Sequence, residues 1–127
     1  MNNNEIYDKL KTLKTENFIW LVYIGIIFLS WYSNSLEKKY FLYNDHISKE
    51  KYRKIMIFIF SILIVVYSYF LIDSYNGIKN IKPSDSANKK NLTNLSFIGS
   101  LFIFISGFIF LYIAIKDEDL NVEIAFN

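Results

Sequence analysis

Three stretches of this chain carry no charged residue: Asn17–Leu36, Ile55–Ile72 and Asn91–Ile115. At about 1.5 Å per helical residue, a run of about 18 apolar residues crosses a hydrocarbon core of about 30 Å. A soluble helical domain burying the same runs needs a polar face on each helix, whereas here apolar residues occupy nearly every angular position. The pattern predicts an all-α integral membrane protein with three transmembrane helices, at about residues 18–35, 55–72 and 95–115. Between and after them lie a basic connector over 36–54, a polar connector over 73–94 and an acidic tail over 116–127. The first run is expected to be retained as a span. It starts near residue 18, and Ser30-Trp31-Tyr32-Ser33 is too bulky for a small-x-small cleavage site.

The chain has 127 residues, 53% of them hydrophobic and 19% aromatic, which exceeds soluble norms and leaves room for a single domain. Its wealth of Ile, Asn, Lys, Tyr and Phe, with alanine only at 87, 114 and 125, has the look of an AT-rich genome. A multi-pass protein of a bacterial cell membrane is the expected setting. Trp20 near one end of the first span and Trp31 with Tyr32 near the other are expected interface anchors, because rings with a polar edge favour the headgroup layers. Before that span, Ile6, Leu10 and Leu13 recur at spacings of four and three, which fits either an interfacial helix or a solvated tail. Asn76-Gly77 is expected to end the second helix near Tyr75 by a left-handed cap.

In the third span Ser96, Gly99, Ser100, Ser106 and Gly107 gather small residues on one side of a helix, with 99 and 106, and 100 and 107, each seven apart. Helices in lipid gain little from hydrophobic association, so small residues that let backbones approach are a packing device. This face is expected to meet a neighbouring helix, from the same chain, which already offers two partner spans, or else from a second copy.

Six basic residues, Lys38, Lys39, Lys49, Lys51, Arg53 and Lys54, crowd the first connector, with a reversal expected at Asn44-Asp45 and Ser48 as the cap of the second helix. Glu37, Asp45 and Glu50 reduce the local net charge to +3, too small a patch for a nucleic-acid module. Anionic lipid headgroups are the expected partners of these side chains. The topology signal is balanced: Lys9, Lys11, Lys14, Lys79, Lys82, Lys89 and Lys90 lie on one side, and the six connector residues with Lys116 on the other. The tighter cluster favours a cytoplasmic connector and tail.

Chemistry is scarce. The chain has no cysteine, which excludes disulfides and thiol catalysis, and the three spans hold no Asp, Glu, Lys, Arg or His to relay protons or ions. His46 has no second His or Cys, and glycines 25, 77, 99 and 107 are scattered, unlike a phosphate loop. Asp117, Glu118 and Asp119 lack the spacing of a calcium loop and read as a solvated end. The expected function is that of a non-enzymatic interaction, accessory or immunity-type component, with no metal or cofactor and with the bilayer, a second copy or a membrane protein as partner. In length and number of spans the chain also resembles holins, and that resemblance implies a pore or membrane-lesion former as the alternative.

Overall fold

The computed structural model describes residues 2–124. Three helices follow one another: α1 (Asn3–Tyr43), α2 (His46–Lys79) and α3 (Ala87–Lys116). All three are long and apolar enough to cross a membrane, and the protein is an all-α integral membrane protein.

Each helix start is closed by a side chain acting on backbone donors that the helix itself leaves unpaired. At α1, the Asn2 side chain accepts the Glu5 N–H at 2.8 Å while the Glu5 carboxylate accepts the Asn2 N–H at 3.2 Å, a reciprocal capping box. At α3, Ser86 Oγ accepts from the Lys89 N–H at 3.1 Å. Between α1 and α2 only two residues intervene. Asn44, at φ 54°, closes α1 in the left-handed region that Asn tolerates, and its N–H donates to Tyr40 O at 2.8 Å. Asp45 then caps α2, accepting from the N–H groups of Ile47 and Ser48. Ser48 is therefore not the cap: it lies in the first turn, buried, and its hydroxyl donates to Asp45 Oδ2 at 2.9 Å. A cap side chain accepts from an N–H two or three residues further on, and Ile47 and Ser48 stand at those distances from Asp45.

Helix continues well beyond the apolar runs, because Lys, Glu, Tyr and Leu propagate a helix in water as well as in lipid. Residues 3–16 are continuous with the first span, so they are neither a separate helix nor a frayed tail. Gly77 does not end α2, which runs on to Lys79 and closes with the Asn80 N–H donating to Asn76 O at 3.1 Å. A Cβ on Gly77 would meet the Thr93 methyl at 3.5 Å, so this position is one of helix proximity and its backbone stays helical.

α2 is the spine. It packs on α1 and on α3, and among the described residues no Cα atoms of α1 and α3 come within 8 Å of each other. The α1 stripe turned towards α2 is Thr15, Ile19, Val22, Ile26, Leu29, Ser33, Leu36 and Tyr40, at alternating steps of four and three. The α3 stripe repeats that spacing through Thr93, Phe97, Ser100, Phe104, Gly107, Leu111 and Ala114, with a small residue every seventh position and a large one between. A 3.5-residue period is what two helices present when they stay in register along their length. Between the stripes sit Met56, Ile59, Phe60 and Leu63 of α2, all 2% exposed or less. The outer faces remain apolar and uncovered: only 11% of the most apolar window of α3 is buried. That surface is tolerable in lipid and would be an aggregation surface in water.

Gly107 is the tightest point of the α2–α3 seam, where an added Cβ would lie 3.2 Å from the Tyr67 ring and 3.3 Å from Ile64. Gly99 has nothing within 4 Å of the same position. Gly107→Leu is expected to destabilise the protein by about 1–3 kcal/mol through overpacking, and Gly99→Leu to leave stability unchanged, in reversible unfolding from mixed micelles.

Candidate functional site

The end of α1, the start of α2 and the end of α3 lie on the same side of the bundle, and the chain after α3 folds back over them. Asp117 starts this return. Its carboxylate accepts from the N–H groups of Asn121 at 2.9 Å and Val122 at 2.8 Å, and Leu120 between them takes a left-handed φ of 55°. The turn delivers Leu120 and Ile124 to a groove with Tyr52, Met56 and Ala114 that leaves room for no more than about one water, while Val122 edges it at 55% exposure. Ile124 is 6% exposed. The carboxylates of Glu118, Asp119 and Glu123 are exposed, as expected of a solvated acidic end, but the backbone that carries them is anchored through Leu120 and Ile124; residues 125–127 lie outside the described residues. Apolar residues at 120, 122 and 124 alternate with polar ones, and that alternation is the sequence signal which counting carboxylates overlooks.

Two of the six connector bases turn inward to hold this end together. Lys49, with a side chain only 13% exposed, reaches Asp119 of the tail at 3.5 Å and stands 5.2 Å over the Tyr40 ring of α1. It thereby ties three segments. Arg53 donates from Nη2 to the Ile115 carbonyl at 2.9 Å, satisfying a last-turn acceptor of α3 where the helix dipole is negative, and pairs through Nη1 with Glu50 at 3.4 Å. Lys38, Lys39, Lys51 and Lys54 are exposed and free to face headgroups. His46, the first residue of α2, has its ring 5.9 Å from that of Tyr40. Among the described residues no three His, Asp or Glu side chains are grouped to hold a metal ion.

Beneath the tail lies a carboxylate whose charge is penalised. Glu37, just past the first span, is pushed above its ordinary value of 4.5 chiefly by burial and further by the Glu123 carboxylate of the tail, while a hydrogen bond with the Tyr52 side chain opposes the rise. Asp45 at the turn moves the other way, held down first by the Ser48 hydroxyl and then by backbone N–H groups.

The remaining expected site residues are dispersed. On α3, Ser100 and Gly107 lie in the α2 seam, whereas Ser96 and Gly99 are exposed and the Ser106 hydroxyl donates to its own helix at Ile103 O, 2.7 Å away. The small-residue face is therefore split into an inner half and an outward flank. A seven-residue repeat from Thr93 through Ser100 and Gly107 to Ala114 marks the inner half in the sequence. Trp20, Trp31 and Tyr32 point outward at 63%, 74% and 51% exposure.

Burial of Glu37 beneath the tail predicts a pH dependence for the tail's docking. A carboxyl raised in the folded state lends stability that is complete below 4.5 and is lost as pH rises through the raised value. In lipid nanodiscs, exchange protection of the Asn121 and Val122 amides, corrected for intrinsic rates, is expected to fall over that interval, and Glu37→Gln to remove the fall. No family model matches the chain, and no curated protein or solved structure matches it either.

Proposed function

We propose that this protein is a small non-enzymatic membrane component that works by binding another membrane protein or a second copy of itself, as accessory or immunity-type proteins do. The observation that carries this reading is the outward half of the small-residue face. Gly99 has open space around it and stands beside exposed Ser96, on a helix whose tight packing with α2 already uses Ser100 and Gly107. On a lipid-facing surface a small residue gives up side-chain contact with the bilayer, and close approach of a further helix restores it. Further support comes from α1 and α3 each leaving an exposed apolar flank that packs on no other helix among the described residues. In this proposal the protein sits in a bacterial cell membrane with residues 37–54 and the tail in the cytoplasm, where four exposed lysines meet anionic headgroups.

The chain's lack of cysteine makes the test clean. Gly99→Cys, oxidised in native membranes, is expected to give a disulfide-linked dimer or a mixed adduct, while Ile105→Cys on a different face gives much less. Equal yields at both positions would remove the proposal. Strong induction separates it from the pore-forming alternative: growth and membrane potential are expected to persist, and abrupt depolarisation would favour the pore.

A further inference from the structure

At the end of the bundle away from the folded-back tail, α1 and α2 part. Residues 3–14 of α1 are exposed, with Thr12 alone half-covered, so the seam begins only at Thr15. Where the helices separate, an apolar cleft of about 340 Å³ opens outward between Phe18 and Val22 of α1 and Ile62, Val65 and Tyr69 of α2. Thr15 and Phe18 also form the near edge of a groove that continues along α1 past Lys14 and Lys11 to Tyr7. The two depressions are one continuous track, apolar at the level of the spans and basic above them.

The spacing matches a lipid. Lys14 and Lys11 stand about 6 Å and 10 Å beyond Phe18 along the helix, which is where headgroup phosphates lie when the hydrocarbon begins near residue 18. No carboxylate lines the groove or the cleft; Glu16 and Asp73 stand near Tyr69, and neither joins Lys11 and Lys14 in the lining. A zwitterionic headgroup would bring its own cation towards two ammonium groups with no carboxylate lining the groove to receive it. A second copy docking by a two-fold axis through this groove would bring two further lysines to Lys11 and Lys14, like charge on like.

We propose that this track binds one anionic phospholipid, an acyl chain lying in the cleft between α1 and α2 and the phosphate held by Lys11 and Lys14. The site is independent of the Gly99 flank, which lies on α3. Occupancy fills the gap where the two helices separate and fixes the free first turns of α1 at the headgroup layer.

Native mass spectrometry of the full chain, released from micelles holding equimolar phosphatidylglycerol and phosphatidylcholine, tests this directly. The unaltered protein is expected to retain a single phosphatidylglycerol in roughly tenfold preference, within the range that two lysines near an anionic group supply. Lys11→Gln with Lys14→Gln should bring the two lipids to equal retention, whereas Lys9→Gln, on the same segment but outside the groove, should leave the preference intact. Val65→Trp, at a position 69% exposed and so tolerant of bulk, should block the cleft and lower retention of both lipids. Equal retention of both lipids by the unaltered protein, or a preference that survives the Lys11 and Lys14 changes, would overturn the proposal. So would a lipid-free dimer whose formation requires the open cleft.

Discussion

Inside hydrocarbon an unpaired backbone N–H or C=O costs several kcal/mol, because no water is present to replace the missing partner. Everything else in this protein is arranged around that cost. The three helices are unbroken across their apolar runs, and the breaks fall at Asn44-Asp45 and at residues 80–86, where charged and polar side chains can reach water. Each start carries its own cap, from Asn2, Asp45 and Ser86. The end of α3 is closed from outside, by Arg53 of α2 donating to the Ile115 carbonyl. One arginine thus both completes a helix terminus and joins two helices.

Secondary structure settled in this way does not bring the helices together, since lipid offers apolar side chains nearly what a neighbouring helix offers. Association rests instead on close fit and on polar contacts outside the core. The fit is greatest where small residues recur every seven positions on α3 and where Ser33 of α1, fully buried, lets that helix approach α2. The polar contacts are concentrated at one end, in Lys49 with Asp119 and Arg53 with Ile115. At the opposite end the Thr93 methyl lies near Gly77, and a side-chain hydrogen bond between Tyr69 and Thr15 joins α2 to α1, but among the described residues no ion pair links the helices there. The bundle is consequently fastened at the tail and open where the cleft lies.

This asymmetry changes the meaning of the basic cluster. Six bases between two spans read naturally as a charge label for topology, because in sequence they are equivalent. In three dimensions they divide by helical phase: Lys49 and Arg53 lie on the face of α2 that also carries Ser48, Tyr52 and Met56, and the rest point away. The acidic tail was equally opaque. Its carboxylates are those of a solvated end, and only the contact of Leu120 and Ile124 with a groove made by α2 and α3 reveals an anchored segment. Gly77 illustrates the same difficulty from the other side, since a glycine near a polar stretch signals a stop and a glycine near a neighbouring helix signals proximity.

The sequence by itself determined that three helices span a membrane, where the apolar stretches lie, and that the first reversal falls at Asn44-Asp45. Those features follow from local quantities: hydropathy summed along the chain, the length needed to cross a bilayer, and the backbone preferences of Asn and Asp. The tertiary structure decided that α2 is the spine, that Gly107 packs while Gly99 does not, and that the tail folds back. Each of these depends on which helix faces which. An apolar stretch that is uniform around its axis carries almost no directional information, so the choice of face is made by the fit of small residues and by a few charges at the ends.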